Sequence, residues 1–202
     1  MIFGRTPADI LLLGVTSAEL IVLYSITPTL EVADWIYLSQ HIVVLVIALT
    51  RRRPETLDRS LPSGLAVLVA YTYPYAQMIY LERVPGHVLW PEAGLVLVVL
   101  GALLSLAGLL SLGRSFGNRP ALRALATMGP YRLVRHPMYL SYVLADIGYN
   151  FKEWNLGTVL LVLAGWAALV YRIHAEERIL ARDSGWLKYQ ALVRHRLVPG
   201  VW

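Results

Sequence analysis

Apolar residues along the chain gather into six runs, parted by short polar stretches. They are roughly Ala8–Thr27, Asp34–Thr50, Leu61–Leu81, Pro91–Leu112, Pro137–Asn150 and Trp154–Ile173. Several approach the ~20 residues needed to cross a bilayer core as a helix. The fifth is short, which suits a tilted, re-entrant or half-buried helix. The pattern predicts an all-α fold, a polytopic membrane helix bundle of about six apolar segments.

Composition strengthens this picture. Of 202 residues, 57% are hydrophobic and 15% charged, with a mean hydropathy of +0.56. A soluble domain carries about 25% charged residues. The first apolar run follows Arg5 and Asp9 and has no A-x-A-like cleavage site behind it, so it reads as a span. With no cysteine, the chain has no disulfide, thiol nucleophile or thiolate metal site. The pI near 9.6 could suggest nucleic acid. In a membrane chain, however, where the charges lie matters more than their sum. We expect no nucleic-acid partner.

The placement of charge gives the orientation. With a cytoplasmic N-terminus and six crossings, 16 of the 18 Lys and Arg fall on the cytoplasmic side, leaving Arg83 and Lys152 outside. That is a strong positive-inside bias. Both termini, the loop Ser115–Met128 and the tail from His174 to Trp202 are then cytoplasmic, while the outer loops are short. Gly94, Gly101 and Gly108 recur every seven residues with Ser105 on the same face, and Gly157, Ala164 and Ala168 form a smaller series. Such small faces let membrane helices approach closely, so they read as packing surfaces. No repeat, linker or low-complexity segment divides the chain, and residues 1–202 form a single domain.

Candidate chemistry lies at the inner face. In Gly129–Tyr142, GPYRLVRHPMYLSY, Gly129-Pro130 is turn chemistry. Pro137 suits the first helical position because it has no N–H to lose there. Arg135 and His136 then sit at a helix amino end, which attracts anions. Flanked by Tyr131 and Tyr139, they read as a carboxylate or phosphate site; Arg132 reads as a headgroup anchor. Glu176 and Glu177 follow the last span. Adjacent glutamates on a helix point about 100° apart, so one faces the bundle and the other solvent or Arg178. After Gly185 comes a short amphipathic helix with Tyr189, then the basic, aromatic tail Arg194–Trp202. That tail either lies on the membrane or closes over a cofactor. Glu19 is an ionisable group within the first span. Gln40, His41, Tyr71, Tyr73 and Tyr75 either line a cavity or, for the tyrosines, form an interfacial belt. The five histidines show no metal-binding spacing, and no metal is expected.

These residues resemble a family. Gly129-Pro130-Tyr131-Arg132-Leu133-Val134-Arg135-His136-Pro137-Met138-Tyr139 resembles the G-x-Y-x-x-x-R-H-P-x-Y signature of isoprenylcysteine carboxyl methyltransferases and related phospholipid methyltransferases. Leu112-Gly113-Arg114-Ser115-Phe116 resembles the L-G-x-x-F element before it. Glu176-Glu177-Arg178-x-Leu180, Gly185, Tyr189 and Arg196–Gly200 resemble the family's C-terminal E-E-x-x-L…G…Y…R-x-x-P-G pattern. The likeness covers about Leu112–Trp202. Ser141 stands where the family often has glycine, which would narrow the space beside the cofactor.

The resemblance implies a methyltransferase that binds S-adenosylmethionine on the cytosolic side and receives a lipophilic acceptor from the bilayer. Residues 1–111 would be the membrane core and acceptor entrance, and 112–202 the cofactor-binding, catalytic half. It implies catalytic roles for Arg135, His136 and Glu176, and cofactor contacts from Tyr131, Arg135, His136, Pro137, Tyr139, Glu176, Glu177 and Tyr189. An isoprenylcysteine-like carboxylate is the expected acceptor, with membrane lipids as surroundings. A chain this compact points to a bacterial or archaeal cytoplasmic membrane. The alternatives are an NADPH-dependent reductase of the sterol-reductase type, a phospholipid or amine N-methyltransferase, and a non-enzymatic lipid-binding protein.

Overall fold

A computed structural model describes residues 14, 17, 21, 32–50, 55–117 and 119–202. The elements in order are α1 (Val32–Thr50), β1 (Thr56–Leu57), α2 (Leu61–Arg83), α3 (Pro91–Leu112), β2 (Ala121–Leu122), α4 (Pro137–Lys152), α5 (Leu156–Leu180) and α6 (Ser184–Leu192). Short 3₁₀ turns occupy Gly113–Ser115 and Gly129–Arg132. Five of the six expected apolar runs thus become helices. The first run lies outside the described residues, Glu19 included, apart from helical Gly14, Ser17 and Ile21. Among the described residues, Pro91–Ser115 and Leu156–Leu180 are long and apolar enough to cross a membrane.

Local chemistry sets the boundaries. Proline stands in the first turn of α2, α3 and α4, where its missing N–H costs nothing. Asn155 caps α5 by accepting from the Gly157 N–H at 2.9 Å, and Asp183 caps α6 by accepting from that of Gly185 at 2.6 Å. Helix α4 has 16 residues and rises about 24 Å, less than the ~30 Å hydrocarbon core. Its length suits a helix covered by protein.

The glycine series is a packing surface, as its spacing predicts. A Cβ on Gly94 would lie 2.6 Å from the Gly148 carbonyl of α4, and one on Gly101 would lie 2.7 Å from that of Ser141. Without a hydrophobic drive between helices in lipid, such backbone proximity supplies the packing energy. Helix α4 therefore lies mainly on α3, while α5 lies on α2, with Gly157 against Tyr80 and Gly165 against Tyr73. Although α4 and α5 are joined by a short turn, each spends most of its surface on a different neighbour.

Connections are stitched at both ends. At one end the α2–α3 and α4–α5 connections exchange two backbone hydrogen bonds between His87 and Trp154, each 2.7 Å. Phe151 O accepts there from Leu89 and Trp90. At the other end β1 pairs antiparallel with β2, Thr56 opposite Leu122. That pairing ties the loop after α3 to the connection between α1 and α2.

Candidate active site

The motif region begins with a turn that only glycine suits. Gly129 has φ 58°, a left-handed value, and opens the 3₁₀ turn that carries Tyr131. The chain then reaches α4 through Arg135 and His136, both buried. Their backbone N–H groups do not wait for an anion. Arg135 N donates to His195 O and His136 N to Arg196 O, each at 2.9 Å. The N–H groups of Arg135 and His136 at this helix entry are therefore taken by the protein's own tail.

Glu177 is the centre of this arrangement. Its Oε1 accepts from Arg135 Nε at 2.9 Å and lies 3.2 Å from His136 Nε2. Its Oε2 accepts from Arg196 Nε at 2.9 Å. A carboxylate can only accept, so Nε2 of His136 carries the proton in this contact. Arg135 Nη1 also donates to the carbonyls of Val193 and Arg194, at 3.1 and 3.0 Å. One carboxylate thus ties α5 to the α4 entry and to the tail, with three donors sharing it. The tail in turn curls back, Arg196 N donating to Trp202 O at 2.8 Å, with the Arg196 guanidinium over the Trp202 ring.

On the other side of this seam lies a cavity of about 850 Å³, its open mouth included. Among its walls are Tyr131, Arg135, His136, Tyr139, Glu176 and Tyr189, six of the residues that the sequence singles out. Pro137 is fully buried outside this lining, and Glu177 faces the tail and the groove behind it. The two glutamates are divided in this way: Glu176 is turned to the cavity, where it accepts from Tyr139 OH at 3.0 Å, and Glu177 is turned away. Neither pairs with Arg178, which stacks on Tyr171. Tail residues 194–202 do not line the cavity; α6 does, through Trp186 and Tyr189. Ser141 is not beside it either, because its backbone packs on Gly101 and its hydroxyl donates to Met138 O.

Two tyrosines of the walls are held in their protonated form. Burial pushes the Tyr189 phenol up to about 12, so it stays a donor, bonded to Tyr131 O at 2.7 Å. Tyr131 is raised well above its ordinary value by burial and by the Glu176 charge. Two residues that the sequence hid complete the site. Arg172, buried in α5, lies 5.2 Å from the Tyr139 ring centre. Trp186 is 3% exposed, and its indole N–H has no partner among the described residues. The loop after α3 also forms a wall, through Phe116, Arg119 and Arg123.

A second cavity, about 1110 Å³ with its open side, runs between α1, α2, α3 and α5. Gln40, His41, Tyr71, Tyr73 and Tyr75 line it, which answers the choice between cavity and belt that the sequence left open. The two cavities share Tyr71, Phe116, Met138, Tyr142 and Arg172.

The family model described as "Isoprenylcysteine carboxyl methyltransferase (ICMT) family" matches residues 94–182, which hold α3, the motif turn, α4 and the paired glutamates. Residues 94–182 are thus similar to this methyltransferase family. It is 26% identical over 151 residues to protein-S-isoprenylcysteine O-methyltransferase B of Arabidopsis thaliana, spanning 70% of this chain and 77% of that one. Protein-S-isoprenylcysteine O-methyltransferase A of the same plant is 27% identical over 128 residues, 60% of this chain and 65% of its own. A probable protein-S-isoprenylcysteine O-methyltransferase of Oryza sativa subsp. japonica is 29% identical over 139 residues, 61% and 73% of the two chains. The match includes Arg135, His136, Glu176 and Glu177, while the tail residues of the seam and Tyr71, Trp186 and Tyr189 of the cavity lie outside it. No group of three or more potential metal ligands occurs among the described residues.

Proposed function

We propose that this methyltransferase moves a methyl group from S-adenosylmethionine to a lipophilic carboxylate, of the isoprenylcysteine type, that enters from the bilayer at its cytosolic face. The observation that carries the reading is the pair of cavities sharing one wall. One cavity opens among polar and aromatic residues, the other between apolar helices, and Arg172 borders both.

The residues of the first cavity fit such a methyl donor. Glu176 provides a negative group for an ammonium or ribose hydroxyls, and the unpartnered Trp186 N–H provides a donor in an aromatic wall. Tyr131, Tyr139 and Tyr189 supply flat faces for a purine. When bound, the cofactor supplies an electrophilic methyl on a sulfonium. The protein's part is to align and to exclude water. Arg172 offers a charge-assisted hydrogen bond to an acceptor carboxylate at the shared wall. A carboxylate nucleophile has no proton to lose, so no general base is required of His136 or Glu176. Holding two reactants in line is itself worth several kcal/mol, about 7 or more in well-oriented cases. Because charge is lost when carboxylate meets sulfonium, exclusion of water by the bound reactants favours the transfer.

Calorimetric titration of the purified protein with S-adenosylhomocysteine and with NADPH tests the reading. We expect the first to bind, the second not to, and Glu176→Ala to weaken the first. Absence of S-adenosylhomocysteine binding, or a Glu176→Ala affinity equal to wild type, overturns it.

A further inference from the structure

The cavity beside Glu176 holds more positive charge than the proposed reaction has used so far. Four arginines line it, Arg119, Arg123, Arg135 and Arg172, against one carboxylate, that of Glu176. Two of the four are already committed. Arg135 gives Nε to Glu177 and Nη1 to the carbonyls of Val193 and Arg194, so its charge is answered within the seam. Arg172 lies over the Tyr139 ring, at the wall shared with the second cavity. The surplus is Arg119 and Arg123, both from the loop after α3.

That loop is pinned on either side of them. Before them, Phe116 packs on the cluster of Ile47, Leu109 and Met138. Around and after Arg123, Leu122 and Leu125 pack on the cluster of Leu180, Trp186 and Tyr189, and β2 is paired with β1. Each guanidinium also lies flush on a glycine. A Cβ on Gly64 of α2 would be 2.8 Å from Arg119 Nη2, and one on Gly117 would be 2.7 and 2.8 Å from Arg123 Nη1 and Nη2. A larger residue at either glycine would push the guanidinium off its seat. Arg119 Nη1 reaches the Asp58 carbonyl only at 3.5 Å, a contact too long to account for its position. Like charges gathered on one wall of a cleft draw an anion to it.

The methyl donor of the proposed reaction brings such an anion. Its amino-acid end carries an ammonium, which Glu176 suits, and a carboxylate. The backbone N–H groups of Arg135 and His136 are bonded to the tail and do not serve it. We propose that Arg119 and Arg123 clamp the donor's carboxylate, which makes the loop after α3 the element that reads the amino-acid end of the cofactor. This rests on the proposed function, and it moves to the loop a part that the motif alone would give to Arg135 and His136. A guanidinium fork matches a planar carboxylate in shape as well as in charge.

The test is calorimetric and needs no turnover. S-adenosylhomocysteine is compared with its decarboxylated analogue, S-adenosylthiopropylamine, which keeps the nucleoside, the thioether and the amine. Wild type should bind the carboxylated ligand about 10- to 100-fold more tightly, the range expected for hydrogen bonds between charged groups. Arg119→Gln and Arg123→Gln should each cut that ratio by about 5-fold or more, through weaker binding of S-adenosylhomocysteine alone. Unchanged affinity for the analogue shows that the variants are folded. Arg119→Lys and Arg123→Lys keep the charge without the fork and should retain part of the ratio. Equal binding of the two ligands by wild type overturns the proposal. So does a ratio unmoved in either glutamine variant, or a variant that weakens both ligands alike. Wild type that binds neither ligand overturns the proposed function, and this inference with it.

Discussion

Removing the Glu177 carboxylate should be the most damaging single change at the seam. In Glu177→Ala the Arg135 guanidinium loses its counter-charge while its side chain is only 5% exposed. Breaking a buried pair by deleting one partner costs about 3–5 kcal/mol, because the remaining charge is left uncompensated. Arg196 contributes to the same carboxylate but is 26% exposed, so water compensates its loss, and Arg196→Ala should cost about 1 kcal/mol. For chains of this size 1 kcal/mol moves Tm by about 2–4 °C. Thermal unfolding in a fixed detergent should therefore show a fall of about 10 °C for Glu177→Ala and about 3 °C for Arg196→Ala. Since both act through one carboxylate, the double variant should be no worse than Glu177→Ala alone. Limited proteolysis should cut residues 194–202 faster in either variant, because Glu177 and Arg196 hold the tail. Two results would refute this reasoning: equal losses in the two single variants, or losses that add in the double one.

Two further outcomes follow from the cavity walls. Trp186→Phe removes a buried donor that has no partner among the described residues, so the unliganded protein should be no less stable, while S-adenosylhomocysteine affinity measured by calorimetry falls about 3- to 10-fold. Tyr189 has its phenol raised by burial from 10.0 to about 12, so folding favours the protonated form. Its stabilising contribution is complete below pH about 10 and is lost as pH rises from about 10 to 12. Alkaline unfolding of Tyr189→Phe should lack that part of the slope; an unchanged slope would show that the phenol is not shielded.

Much of this architecture was legible before any coordinates. Apolar runs are set by the solvent around a helix, and proline at 62, 91 and 137 marks three helix starts, so the described boundaries differ from expectation by a few residues. The largest difference is at α5, where the apolar run stops at Ile173 but the helix continues to Leu180. The Gly94–Gly101–Gly108 spacing encodes a close neighbour, though not that the neighbour is α4. The roles of Glu176 and Glu177 were not legible. Their 100° separation says that they diverge, but the direction depends on Arg135 and Arg196, one before and one after them in the chain. Likewise Arg172 reads as one more inner-face cation, because burial is a property of packing and leaves no local trace. Asp146 and Trp166, 20 residues apart on different helices, give no periodic signal of the hydrogen bond that joins them.

The stitched connections at His87 and Trp154 have a mechanical consequence. Four helices are joined there by backbone hydrogen bonds, with Glu153 accepting from Gly86 N and Asn155 donating to Val84 O beside them. At the opposite end Glu177 and its three donors work beside the backbone pairing of β1 with β2 and of the tail with the α4 entry. Neutralising Glu177 would therefore loosen that end and leave the His87–Trp154 end intact.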